Sequence, residues 1–184
     1  MIGGRYTDRS KTEDTAVQQS SDHKTAANRP KILLAVMAAA IIGIAAVQVF
    51  LKPVIVTGTS MYPTYESGEL LLTNGHITLA DINYGTVIVF KNAGSGNSLY
   101  IKRVEGLPGD HIEIKNGQLV RNGEVIDEGL PLMEKAGIAA EGITIPENGF
   151  FVLGDNRNAS SDSRDIGPVK MSDIKGILRE QRDP

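Results

Sequence analysis

The sequence predicts a mainly β fold, an antiparallel β-sheet domain preceded by a single transmembrane helix. Three observations point there. An uncharged run extends from Ile32 to Leu51, bracketed by Lys31 and Lys52. After Pro53 the chain breaks into short runs rich in β-branched residues and leucine, and no segment keeps a long amphipathic helical period. Asn116-Gly117 and Asn122-Gly123 stand between such runs, as tight hairpin turns require.

Composition narrows the function classes. A chain of 184 residues accommodates one or two domains, and 41% hydrophobic with 22% charged residues is ordinary for a globular protein. The net charge of -3 argues against a nucleic-acid binder, which would carry a basic stripe. Cysteine is absent, which removes disulfides, thiolate metal sites and cysteine nucleophiles together.

In chain order, residues 1–31 are polar, lack any hydrophobic period and are expected to form a disordered cytoplasmic tail. The run at 32–51 is apolar all round, with a lone Gln48. About 20 helical residues span roughly 30 Å, the hydrocarbon thickness of a bilayer. A cleaved leader would have a shorter apolar core and a shorter segment before it. Lys24, Arg29 and Lys31 precede the run and Lys52 alone closely follows it, so the positive-inside rule puts residues 52–184 outside the cytoplasm.

Within 52–184, Val54 and Val56 share one face of an extended segment, and Ile55 points the other way. Glu69–Thr73 and Thr86–Lys91 follow as strands, with Leu99–Glu105 pairing back across a turn-prone loop at 92–97. His111–Lys115, Gln118–Arg121 and Glu124–Asp127 are joined by the two Asn-Gly turns. Residues 129–148 have no clear period and read as loop, within a smaller insertion or subdomain at 112–148. Phe150–Leu153 reads as a buried strand and Ile174–Arg179 as the last element.

Three stretches are chemically unusual. Ser60-Met61-Tyr62-Pro63-Thr64 sets a serine before a proline-fixed turn, with Gly58 just ahead of it. A serine in a turn commonly bonds its own backbone, so a nucleophile needs a base elsewhere. His23 lies in the tail, while His76 and His111 read as turn or strand-edge residues without metal-type spacing. Lys102 is the other candidate. Strand alternation puts it on the face of Tyr100 and Val104, where desolvation would keep an amine neutral near pH 7. The alternative is a lysine snorkelling from a strand edge. Arg103 faces the other way, as a partner for a carboxylate would. The third stretch, Gly154 to Arg164, packs polar groups directly behind an apolar strand, either as a solvated loop or folded back on a site.

In this order behind one apolar span, these stretches resemble bacterial signal peptidase I, a family of membrane-anchored serine proteases with a Ser/Lys dyad. The matching residues are Ser60-Met61-Tyr62-Pro63-Thr64, Tyr100-Ile101-Lys102-Arg103-Val104 with Gly106-Leu107-Pro108-Gly109-Asp110, and Gly154-Asp155-Asn156-Arg157 with Ser160, Asp162-Ser163-Arg164 and Gly167. Tyr84 to Phe90 resembles a further family box, with Gly85-Thr86 where Gly-Asp is usual. The resemblance implies Ser60 as nucleophile and neutral Lys102 as general base. It implies that Ser160 hydrogen-bonds the lysine amine, and that Asp162 with Arg164 and Arg103 with Asp155 are ion pairs supporting the site. It implies that the Ser60 N–H donates to the oxyanion; Gly58 stands where some relatives carry a second, hydroxyl donor. Val54, Val56, Met61, Tyr100 and Ile101 match positions lining pockets for small residues, hence A-x-A cleavage sites. The implied partners are secretory preproteins and membrane lipid near the export translocon, with no metal or cofactor and no nucleic acid.

Two other readings compete. A self-cleaving Ser/Lys repressor-type peptidase would be cytoplasmic and carry a DNA-binding domain. A membrane-anchored, non-catalytic β binding module would explain the span and hairpins but leave the three polar stretches without a use.

Overall fold

Eleven strands and a few short helical turns make up the described part of the chain beyond Leu51. The computed structural model describes residues 29–43, 51–92, 96, 98–127, 129–179 and 181–184. Two units are distinguished, Met1–Gln48 and Val49–Pro184.

In the first unit, helix α1 covers residues 29–43 and exposes Ile32, Leu33, Leu34, Met37 and Ile41. Residues 1–28 of the expected tail and 44–50 of the expected span lie outside the described residues. Among the described residues no helix is long and apolar enough to cross a membrane. At its far end the expected span is corrected, because Leu51 opens strand β1 (Leu51–Ile55) and pairs with Asn74. Apolar composition does not separate the end of a helix from the start of a strand; here pairing to β2 decides.

In the second unit, a seven-stranded antiparallel sheet runs β1-β2-β11-β3-β4-β9-β10. Its members are β1, β2 (Leu70–Asn74), β3 (Val87–Lys91), β4 (Leu99–Gly106), β9 (Gly149–Leu153), β10 (Val169–Lys170) and β11 (Ile174–Leu178). The β3–β4 hairpin forms in the expected register, with Lys91 opposite Leu99 and Val87 opposite Arg103. One face buries Val56, Met61, Tyr65, Leu71, Val89 and Ile101 together. The other buries Ile88, Phe90, Val104, Phe150 and Val152.

A second sheet, β7-β6-β5-β8, is built from β5 (His111–Lys115), β6 (Gln118–Arg121), β7 (Glu124–Ile126) and β8 (Ile143–Thr144). Asn116 and Asn122 adopt positive φ in the two Asn-Gly turns, matching the right-handed twist of the strands they join. The stretch read as loop contains β8 and a 3-10 turn at Gly137–Ala140. Ile112, Leu119, Ile145, Phe151 and Leu153 form a cluster shared with β9, so the small sheet packs on the strand that leads into the polar stretch.

Candidate active site

Ser60 sits in a turn that leaves the sheet after Val56 and returns at Leu70. Met61 anchors this turn in the core at 2% exposure, and Tyr65 N–H donates to Met61 O at 2.9 Å. Strand β4 brings Lys102 against it. Lys102 Nζ donates to Ser60 Oγ at 2.7 Å and to Ile101 O at 3.0 Å. The lysine is 3% exposed. Burial lowers its amine from 10.5 to about 8, while the carboxylates of Asp162 and Asp155 oppose that shift.

The supporting residues form two buried ion pairs. Arg103 Nε and Nη2 donate to Asp155 at 2.8 and 2.7 Å, and Thr64 Oγ1 donates to the same carboxylate at 2.6 Å. The carboxylate therefore ties the serine-bearing turn to β4. Asp162 caps the short helix α2 (Ser163–Ile166) and receives Arg164 Nε at 2.8 Å and Arg164 Nη2 at 2.9 Å. Gly154 N–H also donates to Asp162, at 3.0 Å. Burial alone would raise the Asp162 carboxyl, but Arg164 and the Gly154 amide outweigh it and hold the group below its ordinary 3.8.

Ser160 departs from expectation. Its hydroxyl is buried and makes no hydrogen bond to Lys102 or to any other group among the described residues. It lies near enough to help hold Asp162 ionised, outside regular hydrogen-bond geometry. The Ile101 carbonyl is what orients the amine here.

The five apolar candidates all line one cleft, about 780 Å³ in volume, which Ser60 and Lys102 also border. They divide between the two faces of the sheet. Val56, Met61 and Ile101 are core residues of one cluster with Val54 packed on it, whereas Tyr100 stacks on Phe90 across the sheet, centroids 5.6 Å apart. The cleft touches both groups because it runs along strand edges. β1 pairs with β2 alone, and β9 takes up β4 only from Arg103 onward. Among the described residues, one edge of β1 and one edge of Leu99–Lys102 are therefore left unpaired beside the cleft. Neither His76 nor His111 lines it; His111 Nε2 stands 3.5 Å from Glu113 in the small sheet. No cluster of metal-ligating side chains occurs among the described residues.

The family profile described as signal peptidase, peptidase S26, matches residues 29–180, most of the chain. The chain belongs to the signal peptidase family. Among its relatives within that family, signal peptidase I of Bacillus caldolyticus is 40% identical over 136 residues, covering 66% of this chain and 74% of the relative. Signal peptidase I S of Bacillus subtilis is 34% identical over 140 residues, covering 69% and 74%. Signal peptidase I T of the same organism is 29% identical over 182 residues, covering 90% and 93%. The crystal structure of a signal peptidase I from Enterococcus faecalis matches with TM-score 0.45 and 29% identity, covering 52% of this chain and 95% of that one.

Two residues of this signal peptidase-family site carry weight that the sequence did not reveal. A Cβ on Gly154 would stand 2.2 Å from Ser160 Oγ and 2.5 Å from the Ser60 carbonyl oxygen, so only glycine lets the two stretches meet. Asn156 holds the backbone of the Ser60 turn: its N–H donates to Ser60 O and its side chain to Thr59 O, each at 3.1 Å. Both belong to the Gly154-Asp155-Asn156-Arg157 match, but glycine and asparagine are common in polar turns, so residue type did not show what either holds.

Proposed function

We propose that this chain is a membrane-anchored serine endopeptidase of the signal peptidase I type, which removes N-terminal signal peptides from exported preproteins after small residues of the A-x-A kind. The observation that carries this reading is the 2.7 Å separation of Ser60 Oγ from a buried lysine amine brought to about 8. Ser60 is the nucleophile and Lys102 the general base. The neutral amine takes the Ser60 hydroxyl proton as Oγ bonds to the scissile carbonyl carbon. The resulting ammonium passes that proton to the leaving nitrogen as the C–N bond breaks, leaving an acyl ester on Ser60. Lys102 next deprotonates a water that attacks the ester, and returning the proton to Oγ frees the product acid.

Peptide geometry supports the Ser60 N–H as the oxyanion donor. The bond from Thr59 to Ser60 is trans, and in a trans peptide the N–H points opposite the carbonyl. The Asn156 side chain holds the Thr59 carbonyl, which turns the Ser60 N–H away from that side chain, and in this reading it donates to the developing oxyanion. The Asp155–Arg103 and Asp162–Arg164 pairs hold β4 and the polar stretch around this centre.

Substrate binds in the cleft as an extended segment, its main chain pairing with the unpaired edges of β1 and β4. Val54, Val56, Met61, Tyr100 and Ile101 close the space beneath its side chains, leaving room for alanine and not for large groups. Cleavage of a soluble signal-type peptide therefore rises about tenfold per pH unit below about 8 and levels off above it. A flat profile between about pH 6 and about pH 10 overturns the lysine base.

The apolar run anchors the enzyme, with residues 1–31 a cytoplasmic tail and residues 52–184 an extracytoplasmic protease domain that includes the small subdomain at 112–148. The exposed apolar side chains of α1 support this, as do Ile55, Leu70 and Leu72, which are exposed on the paired strands β1 and β2. The described helix is shorter than a crossing requires, and the proposed span continues from it through residue 50. Deleting residues 1–50 leaves soluble-peptide cleavage within about twofold and lowers cleavage of bilayer-embedded preprotein by about tenfold or more, through lost effective concentration. Unchanged processing of embedded preprotein overturns the anchor's role.

A further inference from the structure

We infer that residues 181–182 form a strap that fixes the distance between Ser60 and Lys102, with Arg182 as a positioning residue for the reaction. The inference rests on the Ser60–Lys102 reading above.

The serine-bearing turn leaves the sheet between β1 and β2, so beyond the Asn156 bond to Ser60 O its position depends on ties made outside the strand ladder. Arg182 supplies several from one residue. Its Nη1 donates to Thr64 O at 3.3 Å, its backbone N–H to Tyr65 Oη at 3.3 Å, and its Nη2 stands 2.6 Å from Glu69 Oε1. The guanidinium also lies over the Tyr65 ring, 5.1 Å from its centroid. The same segment grips the base-bearing strand. Arg182 O accepts from Arg103 Nη2 at 2.8 Å, beside Lys102, and Gln181 Oε1 accepts from Val87 N–H at 2.7 Å, opposite Arg103 on β3. One segment thus spans the two elements whose separation the proton transfer requires. Neither residue lines the cleft, so the strap acts on chemistry and not on substrate contact.

The amine's environment responds if the turn loosens. The charged groups acting on Lys102 are Asp162 and Asp155, and Asp155 is held by Thr64 and Arg103, both strapped by Arg182. Slackening admits water to the amine and raises the pH at which it becomes neutral.

The test is steady-state cleavage of a soluble signal-type peptide by Arg182→Ala, Arg182→Lys and Glu69→Gln, with active sites counted by acylation burst. Arg182→Ala lowers kcat about tenfold at neutral pH with KM within about twofold, since small displacements cost that much or more. The midpoint of the kcat–pH profile moves above about 8, and Arg182→Lys restores part of both. Glu69→Gln, an isosteric change at a half-buried side chain, moves both in the same direction and decides the matter if Arg182→Ala does not fold. The strap is overturned by unchanged kinetics, by a change in KM alone, or by a kcat loss that follows active-site count with the midpoint fixed. Failure of the underlying reading looks different, because Ser60→Ala would then keep activity in an otherwise unaltered chain.

Discussion

Lys102→Met abolishes peptide cleavage and yields a protein more stable than the parent at neutral pH. Loss of a general base costs about 10²–10⁴-fold in rate, and in the proposed mechanism the same lysine also serves the leaving group and the water. The stability gain comes from the sign of the pKa shift. The amine ionises at 10.5 when exposed and at about 8 in the fold, so folding disfavours its charged form. Below about 8 the folded chain bears that cost in full, on the order of 3 kcal/mol at pH 7, and it fades as pH rises toward 10.5. Methionine fills similar volume without a charge. Denaturant melts across pH check this: the difference between variant and parent shrinks above about pH 10. Ser60→Ala has the same kinetic effect and none of the pH-dependent stabilisation, which separates the two roles. Wild-type cleavage by either variant sinks the dyad.

Gly154→Ala disables the enzyme without touching a reacting group. The added methyl meets Ser160 Oγ at 2.2 Å, Ser160 Cβ at 2.5 Å and Ser60 O at 2.5 Å, all far inside van der Waals contact. Two of these neighbours are backbone or β-carbon, so no rotamer change relieves the overlap. The Ser60 turn and the polar stretch must move apart. Overpacking of this kind costs about 1–3 kcal/mol, and a displacement near 1 Å at the nucleophile costs about 10²-fold in rate. Peptide kinetics and a thermal melt check both; a kcat near that of the parent shows that the contact between the two stretches is dispensable.

The fold was legible wherever local chemistry dictates it. His111–Lys115 and Gln118–Arg121 formed with the bounds read from the sequence, because an Asn-Gly turn fixes the register of its flanking strands. Alternation also placed Lys102 on an inward face. Two-residue strands such as Ile143–Thr144 and Val169–Lys170 hold only one period of alternation, too little for a pattern to announce them. The boundary at Leu51 failed for a related reason, since leucine and valine serve a spanning helix and a strand equally well. Within the site, residue types suggested the ion pairs but not the contacts made across the chain. Arg182 meets Tyr65 over a separation of 117 residues, and nothing near either residue marks the encounter.

The unpaired edges beside the cleft bear on solubility as well as substrate binding. A bare strand edge is a template for the edge of any other sheet, and proteins commonly blunt it with charge, proline or a covering element. Here β1 carries Pro53, and the cleft borders both its free edge and that of Leu99–Lys102. A space of about 780 Å³ has room for one slender extended chain. The geometry proposed to admit a signal peptide thus also bears on edge-to-edge aggregation.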